Sequence, residues 1–101
     1  MVVEYIRYRV APDRHDEFER AWSEAQAVLR EAPQCLSYEV SRGIEEPGNY
    51  VVRIEWSSLE DHEQGFRQSP AFGRFFAAVK PFFEQIEEMR HYERTEVVST
   101  A

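Results

Sequence analysis

At 101 residues the chain has room for one domain with a single core, in which roughly 60 to 70% of the unfolded surface is expected to be buried. Apolar residues make up 43% and aromatic residues 14%, enough for a packed interior, which excludes a disordered chain. The 19 acidic against 12 basic side chains leave a net charge of -7, the wrong sign for nucleic acid or an anionic membrane surface, and the lone Cys35 excludes an internal disulfide and a cysteine-built zinc site.

The opening "MVVEYIRYRV" alternates, with Val2, Ile6, Tyr8 and Val10 on one side and Val3, Tyr5, Arg7 and Arg9 on the other, so it predicts a strand. Its charges at positions 4, 7 and 9 interrupt the apolar run a signal peptide needs, and no 18-residue apolar run follows. A soluble cytoplasmic protein with no membrane contact is the expectation. After the breaker "APD", Asp13 is placed to cap a helix whose apolar positions Phe18, Trp22, Ala25, Val28, Leu29 and Ala32 recur every three or four residues up to Pro33.

"CLSYEVSR" alternates with Leu36, Tyr38 and Val40 on one face, and "NYVVRIEW" does so with Tyr50, Val52, Ile54 and Trp56; the turn-rich "GIEEPG" between them predicts a hairpin. Ser57 stands three residues before Glu60, the spacing of a reciprocal cap that starts a short helix. Ser69 and Pro70 start another, with Phe72, Phe75, Phe76, Val79, Phe82, Phe83 and Ile86 on one wide face and Pro81 predicting a kink or break. A fourth strand is read in "EMRHYERTEVV".

Strand, helix, strand, strand, helix, strand over residues 1–101 predicts a single α+β domain, a ferredoxin-like βαββαβ unit whose four-stranded antiparallel sheet carries its helices on one face. Ile6, Tyr8, Leu36, Tyr38, Val40, Val52, Ile54 and Trp56 fall to that covered face. Val3, Tyr5, Arg7, Arg9, Ser37, Glu39, Val51, Arg53 and Glu55 fall to the other. This second face mixes apolar residues with charges of both signs, arginines at 7, 9 and 53 against glutamates at 39 and 55, which predicts a homodimer packed sheet against sheet; an ordinary wetted face with cross-strand ion pairs is the alternative.

Six of the seven phenylalanines lie between Gly65 and Phe83. An amphipathic helix on a sheet needs such a stripe as core, yet so many rings beside Trp56, Tyr8 and Tyr38 also suit an aromatic-lined gap for a flat ligand.

The segment from "APQCLSYEV" through "EWSSLEDHEQGFRQSPAF", with "APDRHDEFERAW" upstream, resembles the antibiotic biosynthesis monooxygenase domain of the dimeric α+β barrel superfamily. The likeness covers about nine tenths of the chain and is carried by the whole pattern; Asp13 departs from the glycine the family usually has after the proline. The resemblance implies a homodimer with one cleft per subunit between sheet and helices. Some relatives oxidise anthrone-type polyketides with dioxygen and no metal or flavin; others degrade haem. The haem-degrading branch works with an asparagine, a tryptophan and a histidine, whose places here are held by Ile6, Phe66 and Phe76, all apolar, so haem chemistry of that kind is not expected.

The expected function is therefore oxidation of a small aromatic or polyketide-type substrate by dioxygen with no cofactor and no metal. A non-catalytic dimeric ligand-binding or regulatory module of the same fold is the alternative. Such chemistry needs a base, and His62, beside the cleft, has the right intrinsic basicity; with Tyr38 it forms the expected catalytic pair. Tyr8, Trp56, Phe66, Arg67, Phe72 and Phe76 are the expected substrate contacts. His91 and Tyr92 alternate on the last strand, so one of them faces the cleft. Cys35, on the side away from the helices, and Met89 read as packing residues, and the acidic pairs at 45–46 and 87–88 as solvated turns or helix ends.

Overall fold

The computed structural model describes residues 1–99. Four strands, β1 (Val2–Arg9), β2 (Cys35–Arg42), β3 (Asn49–Trp56) and β4 (Ile86–Glu93), form one sheet in the order β2-β3-β1-β4, every neighbouring pair antiparallel. Helices α1 (His15–Glu31) and α2 (Pro70–Val79) lie together on one face and meet through Trp22 and Phe75, whose rings are 5.6 Å apart. This is the α+β, ferredoxin-like arrangement the sequence predicts. No helix among the described residues is long and apolar enough to cross a membrane.

The core follows from the two periodicities. Phe18, Trp22, Ala25 and Leu29 bury one stripe of α1 against Ile6, Tyr8, Tyr50, Val52, Ile54 and Trp56 of the sheet. Each fully buried side chain of that size contributes about 1.5–3 kcal/mol. On the second helix the predicted break is where Pro81 puts it. The α-helix ends at Val79 and the chain continues as a 3₁₀ segment, Lys80–Gln85. That change of pitch sends Phe82 into the core, against Phe18 at 5.1 Å, and leaves Phe83 54% exposed.

Local chemistry differs from expectation at five places. Asp13 does not cap α1; Pro12–Arg14 forms a 3₁₀ turn and the helix begins at His15. The reciprocal cap is shifted, because the Asp61 N–H donates to Ser58 Oγ at 2.9 Å while Ser57 turns its hydroxyl to the Asp61 carboxylate. The Ser69 hydroxyl donates back to the Phe66 carbonyl at 2.7 Å, so it closes the preceding turn and caps nothing. A bulge between Cys35 and Ser37 takes Leu36 out of the covered face, 50% exposed, and turns Cys35 inward against the core, the reverse of both expectations. Strand β4 begins two residues earlier than the predicted stretch and stops at Glu93, because a second bulge, at Arg7/Tyr8, lets it pair with β1 from Ile86 onward.

On the open face, Arg53 pairs with Glu55 two residues along its own strand, while Arg7 and Arg9 reach Glu87 and Glu88 of β4 at 3.2–3.6 Å. The predicted partner Glu39 makes no ion pair among the described residues, although it stands opposite Arg53 in register.

Candidate functional site

Parity places Glu4 on the covered face, between Val2 and Ile6, in the central strand β1. There it stands opposite Ile54 of β3 on one side and His91 of β4 on the other, and only 3% of it is exposed. The Trp56 indole N–H, from the end of β3, donates to Glu4 Oε1 at 3.1 Å. His62 comes from the turn Asp61–Phe66, wound wider than an α-helix so that the Arg67 N–H reaches back five residues to the His62 carbonyl at 2.9 Å. Such wide turns recur at functional sites because they re-aim a side chain. Here the turn lays the imidazole flat on Trp56, 4.2 Å between centroids at an interplanar angle of 11°.

The result is a buried polar cluster at the end of an apolar chamber. His62 Nδ1 lies 2.8 Å from His91 Nε2, His62 Nε2 lies 3.7 Å from Glu4 Oε1, and His91 Nε2 lies 3.9 Å from Glu4 Oε2. Burial pushes the Glu4 carboxyl above the usual carboxylate range; the Trp56 hydrogen bond and the charges of His91 and Arg67 pull the other way. Burial also holds His62 down to about 4, helped by His91 and Arg67, so this imidazole is neutral at pH 7 with a lone pair to offer. The ligating atoms of Glu4, His62 and His91 fall within 4.8 Å of one another, a donor set that suits a divalent metal. Their spacing is that of a hydrogen-bonded cluster, however: the two imidazole nitrogens touch, and the carboxylate stands off by almost 4 Å, whereas donors around one ion at about 2.0–2.2 Å would be evenly spread.

The chamber itself, about 100 Å³, is walled by Ile6, Tyr8, Trp22, Ile54, Trp56, Phe66, Phe72, Phe75, Phe76 and Val79, with Glu4, His62 and Arg67 as its charged or ionisable groups and Phe83, Ile86 and Met89 toward its mouth. A cavity of roughly 150 Å³ holds one benzene. In this state the chamber admits part of a single ring, and a fused tricycle fits only if Phe83 and Met89, both exposed, move aside. The Phe-rich stretch is thus both things at once: Phe82 is core, while Phe66, Phe72, Phe75, Phe76 and Phe83 line the chamber.

Of the residues singled out in the sequence, His62, Tyr8, Trp56, Phe66, Arg67, Phe72 and Phe76 are brought together around this chamber. So are Ile6, Phe66 and Phe76, the three apolar residues at the haem-branch positions. Tyr38 is not. It lines a separate open groove of about 520 Å³ between α1 and the β2 edge, where its hydroxyl donates to Gln26 Oε1 at 3.0 Å and where Tyr50 and Arg42 both donate to Glu19. Of the pair on β4, His91 faces the cluster, and Tyr92 lies on the open face, edge-on to Tyr5 at 5.6 Å. Sequence reasoning missed Glu4, although the signal was present: one acidic residue in the buried register of an otherwise apolar alternation. It left His91 open because only the β1–β4 register decides it.

Residues 1–78 match the family described as antibiotic biosynthesis monooxygenase. The uncharacterised Bacillus subtilis protein YczJ is 27% identical over 93 residues, which is 92% of this chain and 98% of that protein. A Bordetella bronchiseptica structure named after the same family superposes with a TM-score of 0.76 at 26% identity, covering 93% of this chain and 96% of its own. Rv0793 from Mycobacterium tuberculosis shares the fold, with a TM-score of 0.76 at 16% identity over 97% of this chain and 98% of its own. With more than half its length matched, and with the sheet, helices and intervening chamber in place, the chain belongs to the antibiotic biosynthesis monooxygenase family.

Proposed function

We propose that the chain is a monooxygenase that uses dioxygen to oxidise a flat, acidic aromatic compound, a phenol or an anthrone-type ring ketone, with electrons drawn from the substrate itself. The observation that supports this most is a buried carboxylate, Glu4, sharing the chamber wall with the neutral imidazole of His62 while the remaining wall is almost wholly apolar. For an activated methylene the balance closes without a cofactor: R₂CH₂ and O₂ give R₂C=O and H₂O, the substrate losing four electrons and dioxygen gaining four. The difficult step is making an anion electron-rich enough to pass an electron to dioxygen. Glu4 and His62 take the proton, Arg67 steadies the resulting charge, and the rings of Phe66, Phe72 and Phe76 hold the substrate plane. Tyr38 has no part in this reading.

The test is aerobic turnover of simple phenols and anthrones, with oxygen uptake and product mass measured together. Conversion with incorporation of one labelled oxygen atom, lost in Glu4→Gln, is the expected result. A second reading, a non-catalytic ligand-binding or regulatory module whose cleft is filled by its own side chains, draws support from the small chamber; it predicts no binding of naphthoquinone or an apolar dye and no oxygen uptake. We also propose that the working unit is a homodimer joined through the open sheet face, where Val3, Tyr5, Val51 and Tyr92 lie among the ion pairs; sedimentation at micromolar concentration reads this directly.

A further inference from the structure

The chamber poses a problem that its wall does not solve. A proton taken by Glu4 has to leave a nearly dry space, yet admitting water would solvate the substrate anion and weaken every electrostatic contact on it. Glu4 and His62 are each 3% exposed, whereas the His91 side chain is 27% exposed. His91 is also part of a surface hollow of about 270 Å³ lined by Met1, Val2, Leu59, Tyr92 and Glu93. It therefore touches the buried cluster with one edge and solvent with the other.

We propose that His62 and His91 form a proton path from the buried Glu4 carboxylate to that hollow. His62 carries its proton on Nδ1 and donates it to His91 Nε2 across 2.8 Å, leaving Nε2 free toward Glu4 Oε1 at 3.7 Å, a gap that the first hop requires the two groups to close. A proton arriving on His62 Nε2 releases the Nδ1 proton to His91 Nε2, and His91 releases its own from Nδ1 to water. No bond other than N–H and O–H is made or broken, and charge moves without any heavy atom crossing the site. Trp56 holds the path in register. Its face fixes the His62 plane and its N–H fixes Glu4, so the two ends of the first hop are held by one residue. The proposal rests on the oxidation reading for its use, because that reaction sends a proton out when the substrate ionises. It also brings one back when water forms, and this returns both rings to their starting tautomers.

The experiment follows the His62 ring proton by nitrogen-15 NMR in the whole protein, wild type against His91→Phe. A conducting path makes His91 the route by which that proton exchanges with solvent, so exchange slows about tenfold or more in the variant. A merely structural His91 predicts the opposite: its loss loosens the packing and exchange quickens, and unchanged or faster exchange overturns the proposal. His91→Gln, which keeps a polar partner for His62 without a transferable proton, guards against misfolding and is expected to show the same slowing. In the turnover assay, both variants lose kcat about tenfold to a hundredfold with KM unchanged, and His91→Ala regains rate with free imidazole. Wild-type protein that oxidises none of the substrates sinks the oxidation reading, while the exchange rates still decide the path.

Discussion

Glu4 and Glu55 stand on adjacent strands one register step apart, on opposite faces of one sheet, and they have opposite fates. Glu55 is held by Arg53 and Arg94, and the Arg53 hydrogen bond keeps its carboxyl below the usual range. Glu4 has no arginine in contact, only an indole N–H and two imidazoles at the edge of hydrogen-bond reach, and burial drives its carboxyl up. A carboxylate fully matched by guanidinium is committed to structure. One that is buried and under-matched stores free energy that a proton or a substrate can release.

The contrast breaks most completely at Trp56. Trp56→Ala removes a fully buried indole, the plane beneath His62 and the donor to Glu4, and is expected to cost about 3–5 kcal/mol in denaturant unfolding. The next largest effect is in pH. His62 is held at about 4 against an ordinary 6.5, facing Glu4 from β1, His91 from β4 and Arg67 from the end of its own turn. Between those two values the unfolded chain binds a proton at this ring that the folded chain refuses, so stability falls as pH falls from 6.5 toward 4 and changes no further below that. His62→Gln is expected to remove that slope, read as the difference between the two proteins' unfolding free energies across the window.

The two glutamates themselves are separated by sign. Glu4→Gln keeps an acceptor for Trp56 and discharges the interior, so it is expected to raise stability at pH 7 by about 1 kcal/mol, with the gain shrinking as pH falls and wild-type Glu4 takes up a proton. Glu55→Gln is expected to lower stability by about 0.5 kcal/mol, since its ion pairs sit near solvent. Equal effects at both positions would remove the distinction. Tyr38→Phe is of similar size, about 0.5–1 kcal/mol for the lost bond to Gln26, and has no effect on ligand binding in the chamber.

What could be read from the chain and what could not divides along the same lines. Alternation and helical period are properties of single segments, so the strands, the hairpin, the helical faces and the Pro81 break were all legible. The two bulges were not. A bulge changes which residue faces which without changing composition, and it is what exposed Leu36 and turned Cys35 inward. The candidate cluster was legible only in part: His62 stood out by its basicity and Glu4 left a trace in the alternation of β1, but their meeting with His91 did not show. Glu4, His62 and His91 are brought together by the β1–β4 register and by a turn wound one residue too wide, and neither leaves a mark in any local pattern. Tyr38 shows the converse error. Its strand parity is right, but the edge strand carries it out to a groove under α1, beyond the reach of His62.

The change of pitch after Val79 has a consequence for how such a protein diversifies. Phe82 and Phe83 are neighbours in the chain, yet one is packed into the core and the other lines the chamber with half its surface exposed. Under the proposed function, mutational drift at position 83 retunes which molecules the chamber takes while the folding free energy, secured next door, is largely spared.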